Sequence, residues 1–454
     1  MRKDRDLTTG SPFRLIGVFS FSLVVGNLFQ QLYTFVDTII IGKKIGTLGL
    51  AAVGGTEWLI FLVNGVVIGL VQGFCILLGN SFGEKNEQEF ERYYTKAKRI
   101  CIVLALVLTI VFLVAAGVIL RLLGTKDEVY NMAREYVNII FLGIPFLVFY
   151  QLYSGALRSR GNSRIPLLAM TVSSLCNIVL DILFVNILKL GIAGAALGTI
   201  LSEGVVMLIC GYSLHVDLHH AFSQEKRTAI PVSEKEITLK LFRMGIPMAM
   251  QSVITSVGGL IVVNRINQYD ITFLAGYTAA VKLYGLLEIA ASSFGLAAAA
   301  YVSQNYGAGN KERIKEGVRA SLIMGIAVSV LCSAVMVFGG RDILRLFVDT
   351  SAATAEILGY GSRFLNILAV FFPFLYILYI MRAALQGMNN AIVPMFSSFA
   401  QLAMRLLCAV VLTRFIGSDG IFWGEVSAWL FADVFLIAVY WKQMKNEVPV
   451  RHRG

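Results

Sequence analysis

A duplication written into the apolar segments limits the fold more than any other feature of this chain. Pro145, Phe146 and Leu147, followed by Ala156, Leu157, Asn162 and Pro166, recur 228 residues later as Pro373, Phe374, Leu375, Ala384, Leu385, Asn390 and Pro394. A second register, offset by 224, sets Phe82-Gly83-Glu84-Lys85-Asn86 against Tyr306-Gly307-Ala308-Gly309-Asn310. Parallel repeats of this kind in a membrane chain predict two lobes with a substrate path between them. The acidic residues break the symmetry. Under the same offsets Asp37 falls on Ile261, Asn177 on Arg405 and Asp181 on Ala409, so the scaffold is duplicated and its carboxylate chemistry is not.

The repeats lie in a chain that is 57% hydrophobic and only 15% charged, with a mean hydropathy of +0.73. Soluble domains carry about 25% charged residues. The apolar runs reach the roughly 20 residues that a helix needs to cross about 30 Å of hydrocarbon, and 42 glycines suit close helix packing. Alternating strands of an outer-membrane barrel are absent from the pattern. The fold class is therefore all-α integral membrane: twelve transmembrane helices in two pseudo-symmetric six-helix lobes. The N-lobe is expected over 1–216, a cytoplasmic linker over 217–237, the C-lobe over 238–446 and a cytoplasmic tail over 447–454.

Lys and Arg concentrate on the side that holds the N-terminus, the even-numbered loops and the C-terminal tail. The positive-inside rule then puts both termini in the cytoplasm of a multi-pass protein of the cytoplasmic (inner) membrane. The polar N-terminal residues and the long first span carry no cleavage pattern for a signal peptide. The net charge of +11 is a consequence of this topology rather than a sign of nucleic-acid binding. Six cysteines stand singly in apolar segments and are expected to be small core residues. The linker pair His219-His220 is read as polar filler, with no metal role.

A carboxylate in mid-membrane costs about 2.5–3.5 kcal/mol on insertion scales, so a retained one points to function. Asp37 sits late in the first span, in QQLYTFVDTIIIG, and Asp181 deep in the fifth, in SSLCNIVLDILFV. Asn177 precedes Asp181 by four residues and Ser174 precedes Asn177 by three, which puts all three on one helix face. Thr199, in AGAALGTILSE of the sixth span, faces inward if the small residues mark the packed side. Together they offer a hard oxygen set suited to an alkali cation or to a shared proton. The competing reading, that the acids only satisfy helix ends, is weakened by their confinement to one repeat.

The segments LYTFVDTIIIGKKIGTLGLAAVG, GALRSRGNSRIP and NIVLDILF in the first half, with FGLAAAAYVSQNYGAGN and RAALQGMNNAIVP in the second, resemble the multidrug and toxic compound extrusion (MATE) transporters over residues 13–441. The likeness is strongest to the prokaryotic branch named for a DNA-damage-inducible member. It implies a cation-binding role for Asp37, Asn177, Asp181 and Thr199, with Tyr136 of the fourth span, Gln30 and Ser174 in a supporting network. Two departures from the family pattern stand out. Gln251 occupies the seventh-span position where another branch has Glu, and the first span has no proline, with Ser22 near the matching place and Gly26 as a source of flexibility.

The resemblance implies a Na⁺- or H⁺-coupled antiporter, with no cofactor beyond the coupling ion, that exports amphiphilic and often cationic small molecules by alternating access as a monomer among membrane lipids. A lipid-linked-precursor flippase of related architecture is the alternative. No HExxH, GxSxG or phosphate-loop motif suggests an enzyme. Tyr33, Phe35, Phe149 and Tyr150 are possible cleft residues for substrate or else face lipid, and Gln251 and Glu288 are possible cleft residues of the second half. Glu203, Glu425 and Asp433 are expected to pair with backbone or one another, with Arg405 available to balance one of these acids.

Overall fold

The computed structural model describes residues 6–222, 233–266, 268–346 and 354–446. Helices α1 (Pro12–Lys44), α2 (Thr47–Gly83), α3 (Glu87–Leu122), α4 (Asp127–Leu142), α5 (Ile144–Ser159), α6 (Arg164–Asp181) and α7 (Gly191–Phe222) form the first half. The second half has α8 (Glu234–Ile266), α9 (Ile271–Gly307), α10 (Lys311–Ala334), α11 (Gly340–Arg345), α12 (Thr354–Gly387), α13 (Ile392–Leu407), α14 (Thr413–Ile416) and α15 (Asp419–Asn446). Among the described residues, eleven helical stretches are long and apolar enough to cross a membrane. The twelfth is α4 with α5, bent by 42° at Gly143, where Pro145 can start a helix but cannot continue one. The chain is an all-helical multi-span membrane protein. Residues 223–232 of the expected linker and the whole tail lie outside the described residues.

The duplication reaches single atoms. The Glu89 N–H donates to Asn86 Oδ1 to start α3, and the Arg313 N–H donates to Asn310 Oδ1 to start α10. Likewise the Ile165 N–H meets Asn162 Oδ1, and the Val393 N–H meets Asn390 Oδ1. Lys85 and Gly309 both have positive φ, as do Gly161 and Asn389. A short polar side chain at each helix start accepts from an otherwise orphaned N–H, which explains why Asn persists at these places. Both halves also carry a π-helical turn at matching positions, Ile182–Ile187 after α6 and Cys408–Leu412 after α13.

Contacts divide the chain into two units. One takes in Val25–Ala249, and the other Leu7–Val24 together with the chain from Met250 onward. Thus α1 and α8 are each divided near their middle, at similar points of the repeat. Within the first unit α6 and α5 both pack on α7, and α2 packs on α5. Gly69 and Gly73 of α2 lie so close to the α8 backbone at Met248, Ala249 and Gly245 that a Cβ at either glycine would overlap it. Apolar solvent gives helices little hydrophobic reason to associate, so such backbone-to-backbone approach supplies the dispersion contact instead. In the second unit α12 is the central packing element, against α9, α10 and α15. All six cysteines are free thiols.

Candidate functional site

Three helices of the first unit meet at an apolar layer made by Ile41 of α1, Val185 of the π-helical turn and Ala195 of α7. Ile41 follows Asp37 by four residues, Val185 follows Asp181 by four, and Ala195 precedes Thr199 by four. Since α7 runs back against the direction of α1 and α6, Asp37, Asp181 and Thr199 share the next layer, one turn away. The spacing that made Asp181 and Asn177 neighbours on α6 is preserved, because the π-helical turn begins only after Asp181. Such a turn offsets the helix beyond it and is frequent at functional sites.

The acids and the amide of this layer hold polar atoms that lack partners among the described residues. Asn177 and Asp181 are 0% exposed and Asp37 7%. Asp37 Oδ1, both carboxylate oxygens of Asp181 and both polar atoms of the Asn177 amide have no hydrogen-bond partner among the described residues. Each such atom left buried and unpaired costs about 1–3 kcal/mol, so a cluster of them is unusual unless it has a ligand. Thr199 donates its hydroxyl hydrogen to Ala195 O at 3.2 Å, which leaves its oxygen free only to accept. Tyr136 is buried within electrostatic reach of Asp37 and Asp181. This is a set of oxygen acceptors, rich in negative charge, converging where a small cation would complete it.

Gly198 shapes the layer, and spacing along a helix does not single it out. A methyl group at this position would overlap Asp181 Oδ1. We expect Gly198→Ala to push that carboxylate aside and lower transport by roughly tenfold to a hundredfold. The folded protein should survive, since the displaced group is a side-chain end. Gly204→Ala, whose new methyl would meet nothing nearer than the Phe146 ring at 3.9 Å, is the control. Parental transport by Gly198→Ala in reconstituted vesicles would show that the position of the Asp181 carboxylate does not matter.

One turn toward the start of α1 lies a cavity of about 20 Å³, lined in part by Gln30, Tyr33, Tyr150, Ser174 and Glu203. It gathers two of the residues expected to support the site and two expected to face a cleft. Of the other two aromatics, Phe149 is half-buried with its ring 5.7 Å from that of Tyr153, and Phe35 is half-buried on α1.

Among the described residues the second unit has no counterpart of the Asp37–Asp181 layer. Arg405 stands in the place of Asn177, and its Nη2 donates to Glu425 Oε2 at 2.7 Å, with Glu425 in the place of Thr199. Where the first repeat presents unpaired acceptors, the second carries its own positive charge. Gln251 Oε1 accepts from Gln386 Nε2 at 3.1 Å, and Glu288 accepts from the Tyr379 hydroxyl at 2.8 Å. Of the three further acids expected to pair with backbone or one another, Glu425 pairs instead with Arg405, the residue available to balance one of them. The expectation fails for Asp433, whose two oxygens are both buried without a partner. It fails also for Glu203, which makes no hydrogen bond or ion pair to a described residue; hydropathy and spacing do not reveal which acids find a partner across helices. No group of three or more His, Cys, Asp or Glu among the described residues could hold a metal.

The MatE family model matches residues 23–183 and 247–411, one copy per repeat. The chain is 26% identical to the probable multidrug resistance protein YpnP of Bacillus subtilis, across 98% of this chain and 99% of that protein. It is 28% identical to the probable multidrug resistance protein YoeA of the same organism, across 74% of each. Among solved structures, an outward-facing multidrug resistance transporter of the MATE family in the MOP superfamily superposes with a TM-score of 0.90 at 23% identity, covering 98% of both chains.

Proposed function

This chain belongs to the MatE family, and we propose that it is a cation-coupled antiporter that exports amphiphilic small molecules from the cytoplasm. It is a membrane transporter and not an enzyme. Relatives named for multidrug resistance support a substrate range of drug-like or toxic compounds. The single observation that carries the coupling is the buried, unpartnered oxygen set of Asp37, Asn177 and Asp181, with Thr199 beside it. Such a set is poorly stable when empty and charged, so Na⁺ or a proton binds to it with a favourable free energy that can be linked to a conformational equilibrium.

Linkage dictates the rest. An ion shifts a two-state equilibrium only by its difference in affinity between the states, and the substrate must prefer the other state for exchange to occur. The N-lobe layer supplies the ion's preference if one state brings Asp37 of α1 against Asp181 of α6 and the other draws them apart. The ion enters from outside, where the charge bias of the loops puts the far ends of α1 and α6, and the amphiphile leaves as the layer fills.

The test is efflux of a fluorescent cationic amphiphile from proteoliposomes holding the purified protein. One arm imposes a Na⁺ gradient at equal pH, the other a pH gradient without Na⁺. Efflux should accelerate in at least one arm and return to the passive rate when the matching ionophore collapses that gradient. Equal efflux with and without both gradients would overturn antiport.

A further inference from the structure

The cavity beside Glu203 is not part of the Asp37–Asp181 layer, although it touches the same three helices. Tyr33 precedes Asp37 by four residues, Ser174 precedes Asn177 by three, and Glu203 follows Thr199 by four. The cavity is therefore the next layer along the same helix faces, on the opposite side of the acids from the apolar layer of Ile41, Val185 and Ala195.

Its lining has a definite chemical sense. Ser173 donates its hydroxyl hydrogen to Ser202 O at 2.7 Å, and Ser174 donates to Met170 O at 2.8 Å. Both hydroxyl hydrogens are thus spent on backbone carbonyls, and both oxygens are left only to accept. Glu203 adds a carboxylate that no described residue neutralises, and Gln30 adds a side-chain amide oxygen. Tyr33 has Glu203, Tyr150 and Asp37 all as electrostatic neighbours, so it stands between the two layers. A space of about 20 Å³ accepts one water-sized particle, since about 10–15 Å³ is the least that holds a water. Acceptor oxygens, an unpaired negative charge and room for one small particle together select a small cation.

We propose that this cavity is a second monovalent-cation station of the N-lobe, with Glu203 as its charged ligand and Gln30, Ser173 and Ser174 as neutral oxygen ligands. This rests on the coupling-ion reading of the Asp37–Asp181 layer. The apolar layer closes one side of that site, and the Glu203 station continues it on the other, so Tyr33 borders both places a Na⁺ or a proton can rest. The second repeat does not carry the same set, because Trp429 stands where Glu203 stands in the first and Leu402 where Ser174 stands.

The test counts ions on the purified full chain. One arm measures equilibrium binding of ²²Na⁺ at alkaline pH; the other measures protons released with a pH dye, in Na⁺-free buffer, when a cationic amphiphile is added. Glu203→Gln should bind or release one equivalent fewer than the parent in whichever arm the parent responds. Asp181→Asn should lose a different equivalent, and the double variant both. Glu203→Asp, which keeps the charge on a shorter arm, should retain the equivalent with weakened affinity, which separates loss of the ligand from loss of the fold. If Glu203→Gln matches the parent in count and affinity in both arms, the second station is overturned. If Glu203→Gln loses an equivalent while Asp181→Asn loses none, the second station stands and the Asp37–Asp181 reading falls.

Discussion

Asp37→Asn and Asp181→Asn should each abolish ion-driven export while the protein still reaches the membrane folded. The amide keeps the size of the side chain and removes the charge that a cation needs in a buried site. Loss of a buried charged contact costs about 3 kcal/mol, which corresponds to an ion affinity weaker by about a hundredfold. Stability should move the other way. Asp181 is fully buried with both oxygens unpartnered, so the neutral amide relieves a penalty whenever no ion is bound. Melting of the detergent-purified variants in ion-free buffer should therefore be equal to or above the parent, and addition of the coupling ion should no longer raise it. Resistance to toxic amphiphiles in cells carrying either variant, at the parental level, would remove the acids from the mechanism.

Glu425→Gln should do nearly the reverse. Glu425 is the ion-pair partner of Arg405, and both side chains are mostly buried, at 16% and 13% exposure. With the carboxylate gone, Arg405 keeps its charge in an apolar setting and its Nε already lacks a partner. Breaking such a pair from one side costs about 3–5 kcal/mol, so a clear fall in melting temperature is expected. Replacing both members by Met should recover much of it, because the desolvation cost of the pair disappears with the charges. Ion-dependent export should persist in the double variant if the first repeat alone holds the coupling ions. A melting temperature for Glu425→Gln equal to the parent's would mean that Arg405 is neutralised elsewhere. Loss of all ion dependence in a folded double variant would move the coupling into the second unit.

Both expectations come from one contrast. A single backbone plan, down to Asn86 with Asn310 and Asn162 with Asn390, is used twice with opposite charge at its centre. In the first repeat buried acceptors stand without a partner; in the second a guanidinium meets a carboxylate. The proposed coupling therefore puts the ion in the half where acceptors remain unpaired, whereas in the other half the Arg405–Glu425 ion pair joins α13 to α15.

The amino-acid chain alone was enough for the number of spans, the two repeats and the confinement of Asp37, Asn177 and Asp181 to one of them. Hydropathy and i, i+4 spacing are properties of a single helix, and they are unchanged by which helix packs beside it. The family likeness added Tyr136, which lies beside both acids. Tertiary structure alone decided the features that depend on how helices are rotated against one another. It divided α1 between two units, broke the fourth span at Gly143 and put the Gly198 backbone against Asp181. It joined Arg405 to Glu425, left both carboxylate oxygens of Asp433 without a partner, and turned the hydroxyl hydrogens of Ser173, Ser174 and Thr199 onto carbonyls. A residue's charge is written in the chain, but whether that charge is balanced is a matter of a few ångströms between segments far apart in it, and only packing sets that distance.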